Sequence, residues 1–209
     1  NLNNNIRNTQ SEKVAAYSAN LDFTRSRGRN SVFYGAEYVF NDVISTGKTT
    51  DISTNTDAAG PSRYPQATWA SLAGYVNDVY KLNDKLSVQA GLRYNWFKLE
   101  ADFNNNLPFY PLPFSTSSSQ NAALTGSLGA VYRPTSSWVL STNFGTAFRA
   151  PNVDDMGKVF DSEPGSVTVP NPDLKAEYAY NVDVSAAKLF WNVLKIDLTG
   201  YYTILQNAM

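Results

Sequence analysis

Apolar and polar residues alternate along most of this chain. In "KLSVQAGLRYNW", Leu86, Val88, Ala90, Leu92, Tyr94 and Trp96 are apolar or aromatic, while Ser87, Gln89, Gly91, Arg93 and Asn95 are small, polar or charged. A period of two kept over this length predicts a strand with one apolar face. The same reading applies to "ALTGSLGAVY" (Leu124, Leu128, Ala130, Tyr132) and "WVLSTNFGTAF" (Trp138, Leu140, Phe144, Phe148). It applies again to "YAYNVDVSA" (Tyr178, Tyr180, Val182, Val184) and "LKIDLTGYYTI" (Leu194, Ile196, Leu198, Tyr202, Ile204). Three earlier segments are noisier. "VAAYSANLDFTR" aligns Tyr17, Ala19, Leu21 and Phe23; "SVFYGAEYVFN" aligns Val32, Tyr34, Ala36, Tyr38 and Phe40, with Phe33 and Val39 on the opposite face. In "WASLAGYVNDVYKL" the preferred register puts Leu72, Val76 and Tyr80 on the apolar side, which brings the total to eight strands.

The connections alternate as strictly as the residues do. Short turns fall near 26–30, 82–85, 133–137 and 188–192, and long connections near 45–67, 99–121 and 149–176. In an up-and-down antiparallel meander, alternate connections emerge at the same end. All the long loops therefore gather at one rim and all the tight turns at the other. Long loops without secondary structure are uncommon unless they serve a function.

Two architectures suit many alternating strands. A soluble sandwich buries its apolar faces against each other, with strands of about 5–6 residues. A membrane barrel turns its apolar face to lipid, with strands of about 9–11 residues and aromatic girdles at both interfaces. The strands here are mostly ten residues or longer, and their polar face carries Glu37, Arg93, Asp183 and Asp197 in mid-strand, which suits a wet lumen. Phe23, Tyr80, Tyr132, Trp138, Phe190 and Trp191 lie by the short turns; Phe40, Trp69, Trp96, Phe148 and Tyr178 lie by the long loops. The fold class expected is all-β: an antiparallel up-and-down meander of about eight long strands, part of a transmembrane β-barrel.

Composition narrows the chemistry. Only 17% of the 209 residues are charged and the net charge is −1, so a general nucleic-acid surface is excluded. With no Cys and no His, structural zinc sites, thiol nucleophiles and Ser-His-Asp relays are excluded too. Asn1 opens a polar stretch without the charged and apolar regions of a signal peptide, and no apolar run is long enough for a membrane helix.

Three segments carry a family resemblance. Gly145-Thr146-Ala147-Phe148-Arg149-Ala150-Pro151 resembles the Gly-x-x-Phe-Arg-Ala-Pro run that ends a barrel strand in TonB-dependent outer-membrane receptors. Asn171, Pro172, Leu174, Lys175 and Glu177 are similar to the Asn-Pro-x-Leu-Lys-x-Glu segment that opens that family's next strand. "YVNDVYKLNDKLSVQAGLRYNWF" resembles an earlier hairpin of the same barrels, with Asn83-Asp84 in the turn. The resemblance implies a 22-stranded bacterial outer-membrane barrel closed by an N-terminal plug domain. Such receptors bind a scarce ligand (iron chelate, cobalamin or glycan) and import it with energy passed through TonB. No enzymatic step and no cofactor is implied. Residues 1–209 then read as one internal piece of the barrel, without the plug, and not expected to transport on its own. Its two sheet edges leave three outcomes open: closure as a small barrel, edge-to-edge pairing with a copy, or continuation in a longer chain. The alternative functional readings are a passive or adhesive outer-membrane barrel and a secreted carbohydrate-binding β-sandwich.

The candidate ligand contacts sit on the polar face or the long-loop rim: Arg93, Phe109, Tyr110, Arg149, Asp154, Asp155 and Glu177. Arg93 either guides anions or pairs with a barrel or plug carboxylate; Arg149 and Glu177 either meet an anionic ligand or form an ion pair. The four carboxylates Asp154, Asp155, Asp161 and Glu163 lack EF-hand spacing and read as solvated loop charges. Phe103, Phe109, Tyr110 and Phe114 either stack on a ligand ring or pack as a lid. The loop at 45–67, rich in Thr, Ser and Gly, is expected to be flexible, and the basic turn Arg25, Arg27 and Arg29 to be solvated.

Overall fold

The computed structural model describes residues 5–110, 112–153, 155, 175–207, and the backbone of 160–163 and 166–168. Its strands are β1 (Ile6–Arg27), β2 (Asn30–Asp51), β3 (Thr56–Gly60), β4 (Gln66–Lys81), β5 (Leu86–Asp102) and β6 (Thr116–Tyr132). They continue with β7 (Trp138–Arg149), β8 (Phe160–Glu163), β9 (Ser166–Thr168), β10 (Glu177–Phe190) and β11 (Leu194–Gln206). One sheet runs β1-β2-β4-β5-β6-β7-β10-β11, all neighbours antiparallel; β3 folds back onto β2, and β8 and β9 form a hairpin of their own. The eight expected strands are the eight on this path. β1 and β11 pair on one side only and not with each other, so among the described residues the sheet does not close as a small barrel.

Alternation works as expected through the middle of the sheet. Leu72, Val76, Leu92, Leu124, Leu128, Phe144, Val182 and Val184 share one face, and it is bare: Leu92 is 56% exposed and Leu124 62%. Among the described residues no second sheet covers it, which overturns the sandwich reading. An apolar expanse of this kind is the lipid-facing wall of a membrane barrel.

Near the long-loop rim the alternation inverts. On β5 the even positions run Leu92, Tyr94, Trp96 and then Lys98, Glu100, Asp102; the odd positions run Arg93, Asn95 and then Phe97, Leu99, Ala101. β6 changes in step, since Ala122, Gln120 and Ser118 lie beyond Leu124 on the same face. On β2, Asp42 follows Tyr38 and Phe40. A face that meets lipid below the level of Phe40, Trp96 and Leu124 therefore meets water above it. The odd positions face inward throughout and become apolar here, and Ala67, Leu99, Ala101 and Phe103 form a buried cluster.

This inversion corrects two expectations. Trp69 belongs to the odd face and packs against the cluster, so it is no part of the outer aromatic belt. The 45–67 segment is not a flexible loop: β2 continues to Asp51 and pairs with both β1 and β3. Gly47 faces the backbone of Pro61 so closely that a Cβ would collide with it, and only glycine permits that approach.

Candidate functional site

The polar face is crossed in mid-sheet by a hydrogen-bonded row. Arg93 donates through Nη2 to Glu37 Oε1 (2.8 Å) and through Nε to Asn95 Oδ1 (2.9 Å), with its guanidinium 5.7 Å from the Tyr75 ring centre. Tyr75 in turn donates to the Asp22 carboxylate two strands away. It lies across Gly35, where a Cβ would strike its hydroxyl and ring. Glycine on β2 therefore lets one side chain tie β4 to β1. The Nδ2 of Asn95, on this face and buried, has no hydrogen-bond partner among the described residues.

Above this row the long connections converge. Phe103 is fully buried and meets Phe114 edge-on (centroids 5.3 Å apart, 73° between planes), and Tyr110 and Leu112 pack against the same cluster. Phe109, 38% exposed, remains at the surface. Asn106, also fully buried, locks this loop to the preceding one. Its Oδ1 accepts from Ser62 N (2.9 Å) and Ser62 Oγ (2.8 Å), and its Nδ2 donates to Ser62 O (3.1 Å). Buried polar groups satisfied on both sides in this way fix a single arrangement. Ser45 completes the tie: its Oγ accepts from Tyr64 N (3.3 Å) and its carbonyl from Gln66 Nε2 (2.8 Å).

The third connection enters where β7 leaves β6. Their ladder covers only Ser127–Tyr132 against Leu140–Gly145. Beyond it the Thr146 hydroxyl takes over, accepting from Gly126 N (2.8 Å) and donating to Gly126 O (3.3 Å). Phe148 stacks on Phe97 at 5.8 Å. A reciprocal pair then starts a helical turn: Asn152 Oδ1 accepts from Asp155 N (3.0 Å) and Asp155 Oδ2 from Asn152 N (3.0 Å). Arg149 grips the same carboxylate with Nη2 (2.6 and 2.8 Å) and reaches Glu177 through Nη1 (3.5 Å). Hydrogen bonding and charge from Asp155, with a smaller share from Glu177, raise the pKa of Arg149. This placement carries Val153 onto the buried cluster.

The result is a niche of about 370 Å³ on the inner side of the rim, lined by Val14, Asn41, Val43, Tyr64, Trp69, Asn152 and Val153. Its walls are apolar and aromatic with two amides, and its volume lies within the range of small-molecule sites. Of the sequence candidates, Arg149, Asp155 and Glu177 come together at the edge of the third loop, and Tyr110 packs beneath the second. Arg93 sits well below them and Phe109 stands apart. Asp154 and the side chains of Asp161 and Glu163 lie outside the described residues. Among the described residues, no group of three His, Cys, Asp or Glu is placed to hold a metal ion. Trp69, Tyr64 and Asn41 were not among the candidates. For Trp69 the signal was available, because its odd position sets it with Leu99 and Ala101 rather than with Leu72.

A single antiparallel wall, apolar outside and polar inside, with tight turns at one rim and interlocked loops at the other, defines part of a transmembrane β-barrel of the outer-membrane type. The chain belongs to the TonB-dependent receptor-like β-barrel family, whose model matches residues 1–208. Solved structures agree in fold. The copper transporter OprC superposes with a TM-score of 0.79 at 15% identity, over 94% of this chain and 30% of that one. The ferric citrate transporter FecA in its unliganded form gives 0.67 at 14% identity, over 98% and 29%. The Serratia marcescens hemophore receptor HasR, a double mutant in complex with HasA and heme, gives 0.66 at 16%, over 97% and 34%. This chain thus spans about a third of the length of these structures. No curated protein sequence matches it.

Proposed function

We propose that these residues form one part of the barrel wall of a bacterial outer-membrane receptor that binds a scarce small-molecule nutrient, such as an iron chelate, and imports it with energy supplied through TonB. The observation that carries this reading is the convergence of three long connections on one buried cluster, in a chain matched by the family model over almost its whole length. Binding and gating, with no covalent step, are the whole of its chemistry. The niche beside Tyr64 and Trp69 is where the wall meets the ligand, and Arg149, Asp155 and Glu177 set the stance of the loop that closes its edge. The unpartnered Asn95 amide, next to Arg93, is where the lumen-filling plug domain docks against the wall. Both open edges are continued by further strands of the same barrel.

The test uses the intact protein with whatever natural sequence flanks these residues. Its deletion should abolish growth on one iron, copper, heme, cobalamin or glycan source, and loss of TonB should do the same. In the purified protein, Trp69→Ala should weaken binding of that ligand about tenfold while leaving the barrel folded. Uptake that persists without TonB would instead favour the passive or adhesive barrel.

A further inference from the structure

The net charge of −1 is unevenly spread. The short-turn rim, taken as the turns and the residues within four positions of them, holds eight cations and three acids, so it carries +5 and the rest of the chain −6. The two regions also differ in how much they are paired. Away from this rim four of the eight described cations are held, Lys48, Lys98 and Arg149 by Asp57, Glu100 and Asp155, and Arg93 by Glu37, while Arg7, Lys13, Arg63 and Lys175 have no carboxylate at ion-pair distance among the described residues. At the short-turn rim Lys195 pairs with Asp197 (3.0 Å), but among the described residues no carboxylate lies at ion-pair distance from Arg25, Arg27, Arg133 or Lys188.

Arg25, Arg27 and Lys188 lie on the face that carries the aromatic belt, and Arg133 stands in the turn directly after Tyr132. Alternation sets Arg25 and Arg27 on the face of Leu21 and Phe23, and Phe23 stacks on Tyr34 at 5.3 Å. Lys188 Nζ is 4.7 Å from the Trp138 ring centre and 4.6 Å from that of Phe190. Trp191, 85% exposed in the following turn, extends the belt. The carboxylate on this face of the rim, Asp78, accepts through Oδ2 from Asn30 Nδ2 (3.3 Å), its Oδ1 has no hydrogen-bond partner among the described residues, and it forms no ion pair with the rim cations there. Arg29 donates to Leu82 O (2.9 Å) and ties the first turn to the second.

We propose that this rim is a docking surface for the headgroups of anionic phospholipids. Guanidinium and ammonium groups held at the depth of the aromatic belt meet lipid phosphates rather than bulk water. A phosphate oxygen accepts from Arg or Lys with charge assistance. A zwitterionic headgroup offers the same phosphate but brings its own cation, so the uncompensated rim prefers a headgroup with net negative charge. The surface rests on the reading of the bare apolar face as membrane-embedded.

The test is flotation of the intact protein with neutral phosphatidylcholine vesicles, followed by native mass spectrometry of lipid retained from an equal mixture of phosphatidylglycerol and phosphatidylcholine of matched chains. The protein should float with neutral vesicles and retain the anionic lipid at least about fivefold over the neutral one, with the preference falling as salt rises. Replacing Arg25, Arg27, Arg133 and Lys188 by Gln should bring the ratio close to one, while Lys48→Gln and Lys98→Gln leave it unchanged. Equal retention by the wild-type protein would overturn the inference without touching the membrane reading, and so would a quadruple variant that keeps the preference. Failure to float would overturn both.

Discussion

The same strands behave oppositely on the two sides of a slanted row through Phe40, Leu72, Trp96 and Leu124, stepped by two residues from β2 to β4 and again from β5 to β6. Below it, even positions on β5 are apolar and bare, and odd positions are polar and hydrogen-bonded. Above it, Lys98, Glu100 and Asp102 take the outer face, and Phe97, Leu99 and Ala101 the inner one. From β2 through β4 and β5 to β6 the backbone ladder runs through both regions without a break. What changes is the medium on each side: lipid outside and a polar lumen inside below the row, water outside and a dry loop cluster inside above it. A membrane boundary is thus written into a β-protein as a phase inversion of its alternation.

Breaking the dry cluster should have the largest effect. Phe103→Ala removes a fully buried ring and should cost about 3–5 kcal/mol, read by denaturant unfolding and by loss of amide protection over 60–66 and 103–115. The lower region is tested by Leu92→Arg, which puts a charge on the lipid-facing side and should cost about 2–4 kcal/mol in bilayer refolding. The matching change above the row, Glu100→Arg, should stay within about 0.5 kcal/mol, since that position already faces water. Equal costs at the two sites would sink the boundary. Asn106→Ala leaves the buried Ser62 N–H without its acceptor and Ser62 O without its donor, while the Ser62 hydroxyl keeps Tyr64 O, and should cost about 1–3 kcal/mol, with faster exchange confined to the two tied loops. Smaller again is Arg149→Gln: exchange over 150–155 should quicken several-fold in low salt and hardly at all in high salt, because the side chain is half exposed.

The smallest expected effect is a pH dependence. Asp57 is held below its usual pKa of 3.8, chiefly by the hydrogen bond from Lys48 and then by that from Thr50. Its folded pKa is depressed, so its contribution to the β2–β3 hairpin is present above the unfolded value and lost as pH falls through the folded one. A spin label at Ala59 should gain mobility only below pH 3.8, with the mid-sheet ladder unchanged.

Much of this was legible in residue order. A period of two needs only local information, so all eight long strands appear in the sequence, as does the register of Leu72, Val76 and Tyr80. The upper arms were harder, because "STGKTTD" has no apolar residue to mark a face, yet its threonines suit a strand and β1 and β3 hold it on both sides. The Asn152–Asp155 pair had a readable signature, Asn three positions before Asp and just after Pro151. The Ser62–Asn106 lock had none: two small polar residues 44 positions apart identify each other only once Phe103 has brought their loops together.

One consequence of the β6–β7 junction is mechanical. Its six paired positions are fewer than in any other pair of adjacent long strands, and the Thr146 hydroxyl replaces the ladder above them. The wall therefore consists of two stiff panels, β1 to β6 on one side and β7, β10 and β11 on the other, sharing a short hem. Pulled apart at its free margins, it would rip along that hem, and a lumen obliged to widen would bend there before it stretched anywhere else.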